Sequence, residues 1–95
     1  MGYEEYNEVI EQYQAWLNQG AIEIEPNRKY EPFGYTDFEP RNLNCTCGQE
    51  LKVVQTAQGS MIESRGGISV VVKRLVCPDR HKQYVLKLET VGGIP

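Results

Sequence analysis

Tyr3, Tyr6, Ile10, Tyr13 and Leu17 return at alternating steps of three and four, and Val9 and Trp16 widen the stripe. That period predicts an amphipathic helix over residues 3–19. Glu4 and Glu5 fall in its first turn, where the helix dipole favours negative charge, and Gly20 supplies a left-handed stop. Glu8, Glu11, Gln12 and Gln14 take the wet side. A stripe of this kind faces the core of its own domain, forms the seam of a homodimer through the N-terminal helix, or binds a partner protein. It is too short for an independent coiled coil.

Beyond Gly20 the period changes. Ile22 and Ile24 alternate with Glu23 and Glu25, the pattern of a short strand. Residues 26–40 hold Pro26, Pro32 and Pro40 with Tyr30, Phe33, Tyr35 and Phe38 between them. Prolines at this density exclude a long helix and predict an extended, polyproline-like path, while the aromatic rings argue against a floppy linker. The expectation is a segment lying over the domain, or gripping a partner, with its rings in apolar surface. Three strands follow, at 51–58, 68–76 and 83–91, and the run Ile68-Ser69-Val70-Val71-Val72 is the strongest strand signal in the chain. The predicted class is α+β, in a single domain over 1–95: a helix (1–20), a short strand and Pro/aromatic extension (21–44), a three-stranded antiparallel sheet (45–91) and a tail (92–95).

The three cysteines and the single histidine occupy two turns, Cys45-Thr46-Cys47-Gly48 and Cys77-Pro78-Asp79-Arg80-His81. Two thiolate-bearing turns at the two ends of a strand-rich segment are how a small domain assembles four tetrahedral ligands, and Zn²⁺ is the ion expected at Cys45, Cys47, Cys77 and His81. Other arrangements stay open: reduced core cysteines with a surface His81, or a three-cysteine site completed by Asp79 or by another chain. One ion shared by Cys47 and Cys77 forces the first two strands into an antiparallel hairpin with its open end at the metal. Val53 then faces Val71 and Val54 faces Val70, with the reversal between Gly59 and Gly66. The second turn brings Lys73 opposite Glu89 and Arg74 opposite Leu88. One sheet face, with Val54, Val70, Val72, Val76, Tyr84, Leu86 and Leu88, is assigned to the helix. The other, with Leu51, Val53, Val71, Leu75, Val85 and Val91, is assigned to the aromatic extension.

Cys45-x-Cys47-Gly48 with Cys77-Pro78-x-x-His81 resembles the zinc ribbon, in which two cysteine turns hold a three-stranded antiparallel sheet; the resemblance covers about residues 45–91. The family's usual turn is Cys-x-x-Cys. Here the first turn is one residue shorter and the second ends in His81. The shorter turn is expected to lose the family's pair of backbone N–H to sulfur bonds in their usual geometry. The resemblance implies a small accessory or inhibitory factor of the transcription or translation machinery.

Charge changes the picture in one respect. The chain of 95 residues carries a net −3, but residues 1–44 balance at −6 and residues 45–95 at +3. The halves attract each other, or one of them meets a partner. A single histidine committed to a metal leaves no acid–base catalyst, and no phosphate loop or nucleophile triad is present, so no enzyme is expected. The leading expectation is a protein–protein interaction module using Met61, Ile62 and Arg65 near the hairpin tip. A second is a nucleic-acid-binding face of Lys73, Arg74, Arg80, Lys82 and Lys87, with Tyr84 stacking a base. A third is an acidic decoy of a DNA-binding surface, built on Glu23, Glu25, Asp37 and Glu39. No apolar run is long enough to span a bilayer, the first residues lack the layout of a signal peptide, and an odd cysteine count suits a reducing cytoplasm.

Overall fold

A computed structural model of the protein describes residues 3–41, 43–63, 66–79 and 81–93. It is α+β: one helix, α1 (Tyr3–Asn18), and a six-stranded open sheet. The strands are β1 (Ile22–Ile24), β2 (Asn27–Glu31), β3 (Gly34–Phe38), β4 (Lys52–Glu63), β5 (Gly66–Val76) and β6 (Gln83–Gly93). The sheet runs β2-β3-β6-β5-β4, antiparallel throughout, and β1 joins β6 in parallel. The outer edge of β6 is therefore divided, with β1 against residues 84–86 and β3 against residues 90–91.

The helix forms where its pattern predicts. Gly20 closes it at φ +97°, with Ala21 N–H donating to Trp16 C=O and Gly20 N–H to Leu17 C=O, the double bond of a left-handed glycine cap. A helix of this length is marginal alone and needs tertiary burial. Val9, Tyr13 and Trp16 supply it by packing on Val70, Val72 and Val85, each fully buried side chain contributing roughly 1.5–3 kcal/mol. The apolar stripe is thus spent inside the molecule, and the face left to solvent carries Glu4, Glu5, Glu8 and Glu11.

The Pro/aromatic extension is instead a β-hairpin, β2 on β3, turning at Pro32 and Phe33. The prolines are boundaries: Pro26 precedes β2, Pro32 sits in the turn and Pro40 follows β3. Proline lacks a ladder donor, so it gathers at strand ends and turns. Tyr30 and Tyr35 are opposite each other with rings edge to face, and the Arg28 guanidinium lies 3.9 Å from the Tyr35 ring centroid. Asp37 is buried and bound by Arg28 Nε at 2.7 Å and Nη2 at 3.1 Å. The Glu89 N–H also donates to it at 3.0 Å, satisfying β6 just where its edge passes from β1 to β3. Burial alone would raise the Asp37 pKa; the Arg28 and Glu89 hydrogen bonds outweigh it and hold the carboxyl below its ordinary value.

The long hairpin reverses between Glu63 and Gly66, and β4 and β5 stay paired up to that point. Met61 lies opposite Ile68 within the ladder, and Ile62 beside it is 80% exposed; Arg65 lies outside the described residues. Two expected registers are corrected. Val53 faces Leu75, not Val71, and Gly59 takes the place expected of Val54 opposite Val70. Lys73 faces Leu86 and Arg74 faces Val85. The second correction moves the pairing by an odd number of residues, which inverts one strand relative to the other. Val85 therefore joins Val70 and Val72 under the helix, while Tyr84, Leu86 and Leu88 join Leu75 on the opposite face. That face is covered by the Leu43–Leu51 segment, not by the aromatic hairpin.

α1 crosses β4 at Gly59, where a Cβ would stand 2.7 Å from the Glu5 carbonyl oxygen and 3.1 Å from Val9 Cγ2. Gly59→Ala is expected to force helix and strand apart and cost about 1–3 kcal/mol, read as a lower denaturant midpoint. Ser60→Ala, its neighbour, is the control and should change the midpoint little.

Candidate metal centre

Cys45 and Cys47 sit on a miniature hairpin. Leu51 N–H donates to Leu43 C=O at 2.8 Å, Asn44 bridges Glu50, and Cys45 N–H donates to Gln49 C=O at 2.8 Å. Gly48 N–H closes the turn on Cys45 C=O at 2.9 Å, with Gly48 at φ +92°. This is the bonding of a three-residue loop whose last position must be left-handed, hence glycine. Cys77 ends β5 on the second turn. Its N–H donates to Lys82 C=O, and its C=O accepts from the His81 N–H, both at 3.0 Å. His81 takes the left-handed position, φ 55°.

The two turns meet at the open end of the long hairpin. The sulfurs lie 3.4–3.6 Å apart, and Cys47 Sγ is 3.4 Å from Cys77 Sγ. A tetrahedral ion with Zn–S bonds of about 2.3 Å sets its sulfurs about 3.8 Å apart, so a few tenths of an ångström of opening admits one. All three cysteines are free, Cys45 and Cys77 are buried, and Leu51, Leu75, Tyr84 and Leu86 pack around them as a second core. The donor set suits a soft or borderline cation.

Three of the four expected ligands therefore come together. The fourth, His81, is exposed and stands outside the sulfur group. Its backbone is committed to closing the β5–β6 turn. Asp79 is exposed as well. In the short first turn the backbone amide of Cys47 acts to lower the Cys45 pKa and that of Gln49 to lower the Cys47 pKa. Tyr84 adds a buried O–H donor at 3.3 Å from Cys45 Sγ. Alternation alone marks Tyr84 only as an apolar position, so its role at the sulfur is not legible in sequence.

These donors divide the thiols. The Cys47 N–H, then the Tyr84 hydroxyl, pull the Cys45 pKa down to about 6. Cys47 is lowered by the Gln49 N–H, but burial and the neighbouring sulfurs outweigh it and leave the thiol above its ordinary value. Three adjacent thiols cannot all ionise without a cation between them.

The other candidate residues are dispersed. Lys73 pairs with Glu39 on the face opposite the helix, whereas Lys87 pairs with Glu89 and lies over Tyr13 on the helix face. Arg74 Nη1 donates to Gln83, Lys82 is exposed, and Arg80 lies outside the described residues. Tyr84 is buried at the sulfurs. No single basic track joins the described members of this set. Among the decoy acids, Asp37 is held by Arg28, Glu39 by Lys73, and Glu23 accepts from the Tyr13 hydroxyl.

Titration of the reduced, metal-free protein should show one thiolate, by ultraviolet absorbance, forming near pH 6, and Cys45→Ser should abolish that step. A depressed folded-state pKa stabilises the fold above the ordinary thiol range, about 8.5, and the contribution is lost as pH falls. For Cys45 the loss should be complete below about 6. Tyr84→Phe should move the step upward. No protein-family model, curated protein or solved structure matches the chain, so its site is read from its own chemistry.

Proposed function

We propose that this protein is a non-catalytic interaction module whose second core is stapled by one zinc ion on Cys45, Cys47 and Cys77. The observation that carries the reading is the sulfur triad, spaced for one cation and fed by backbone and tyrosine donors. Such a site serves stability. The second core is small, and structural zinc supplies on the order of 10 kcal/mol of folding free energy. The fourth position is left to His81, on the same turn as Cys77, or to a solvent molecule. The likeness of the two cysteine turns to zinc ribbons supports a role as an accessory or inhibitory factor of the transcription or translation machinery, by fold-level analogy alone. The non-enzymatic reading rests on the lone histidine and the lack of a catalytic constellation in the sequence. The contact surface is sought at the far end of the hairpin, where Ile62 is 80% exposed. No helix among the described residues is long and apolar enough to cross a membrane.

Elemental analysis of the purified protein should find one zinc per chain. Cys77→Ser should lose it, and His81→Ala should keep it with at most about a hundredfold weaker affinity. Chelation should lower the thermal midpoint and perturb the chemical shifts around Leu75, Tyr84 and Leu86, while the metal-free fold persists at low temperature. Metal-free protein that is folded and insensitive to zinc overturns the staple. Capture from cell extract should recover a partner with metal-loaded protein and lose it with Ile62→Glu; recovery of none by either overturns the interaction role.

A further inference from the structure

The outer edge of β4 is a second place where the fold offers something to a partner. Cys77 and Lys82 form a hydrogen-bonded pair at the β5–β6 turn, and in an antiparallel ladder such pairs alternate with pairs that share no bond. Stepping back along β5, Leu75, Lys73 and Val71 direct their backbone groups at β6, while Arg74, Val72, Val70 and Ile68 direct theirs at β4. Their partners on β4 are Gln55, Ala57, Gly59 and Met61. The residues between and beyond them, Thr56, Gln58, Ser60 and Ile62, must turn N–H and C=O away from β5. Among the described residues no strand lies on that side.

The two ends of the β2-β3-β6-β5-β4 path differ. β2 is five residues long and carries Arg28, Lys29 and Glu31 between Pro26 and Pro32. Short length, charge and proline are the devices that stop a foreign strand from adding. β4 has none of them from Val53 to Ile62, a run without charge or proline. Val53 and Val54 are about half exposed on it, and Ile62 almost wholly.

Beside this edge runs a groove of about 480 Å³ between α1 and β4, lined by Glu5, Glu8 and Gln12 from the helix and Gln55, Ala57 and Gln58 from the strand. The helix contains four glutamates and no lysine or arginine. We propose that β4 takes up an extended, lysine- or arginine-rich segment of a partner protein as an added strand, its cationic side chains against the glutamates of α1. Backbone bonds supply affinity and the acidic wall selects for charge. A second copy of the chain fits worse. Two-fold pairing of β4 with itself sets both acidic helices on the same face of the joined sheet, side by side. The inference rests on the interaction-module reading and names that module's partner chemistry.

The test uses the zinc-loaded full chain with a short peptide of alternating valine and lysine, and a counterpart with glutamate at every lysine. Amide hydrogen exchange at Thr56, Gln58, Ser60 and Ile62 should slow by about tenfold or more with the lysine peptide and not with the glutamate peptide. Gln58→Pro removes one outward donor while leaving the β4–β5 ladder whole; Glu5→Lys with Glu8→Lys reverses the wall. Each should weaken binding by about tenfold or more, with thermal melts reporting that the variants remain folded. Equal protection by both peptides, or by neither, overturns the proposal. So does protection that grows with protein concentration alone, which would give the edge to a second copy. A partner captured from extract equally by wild type and both variants overturns the edge site and leaves the module reading standing.

Discussion

The hydrogen-bonded pair of Cys77 with Lys82 settles more of this molecule than any other contact. A β-strand shows alternate residues to opposite faces, so the loop length between two strands decides which side chains share a face. With four residues in the loop, Val85 falls beneath the helix beside Val70 and Val72, and Tyr84 and Leu86 fall beside Leu75 and Cys77. One sheet thereby separates two cores of different character. The first is aromatic and aliphatic and holds α1. The second is built around sulfur, and the miniature hairpin of Cys45 and Cys47 closes over it.

The second core combines two demands that oppose each other. Its packing wants dry, neutral thiols, while the Cys47 and Gln49 amides and the Tyr84 hydroxyl are aimed to stabilise thiolates. A cation at the triad meets both, because it neutralises the charge that the donors favour and draws the two turns together. Without one, the donors hold the Cys45 thiol below its ordinary pKa, while burial and the neighbouring sulfurs leave that of Cys47 above it.

Much of this was legible in residue order and some was not. The helix, its glycine stop and the meeting of the two cysteine turns follow from period and spacing, which are local signals. The β2–β3 hairpin is obscured in the sequence because Pro26, Pro32 and Pro40 together suggest one continuous extended path, although each marks a boundary. Strand registers were missed for a different reason: a valine-rich run such as Ile68–Val72 is apolar on both faces, so hydrophobicity cannot choose between parities. The roles of Asp37 and Tyr84 depend on partners more than fifty and almost forty positions away, Glu89 and Cys45. No local pattern carries contacts of that span.

A register break lies between Val53 and Gln55. On the tip side of it, pairing follows Gln55 with Arg74; on the sulfur side it follows Lys52 with Val76. Carried onward without the break, the tip-side count would seat Lys52 opposite Cys77 and rotate Leu51 out toward water. Val54 thus acts as a phase shifter: one supernumerary residue exchanges an ammonium for a leucine at the wall of the thiol chamber. Deleting Val54 would leave those pairings as they stand, with Lys52 still opposite Val76; flattening the bulge at constant length would instead seat a fixed positive charge beside the three sulfurs.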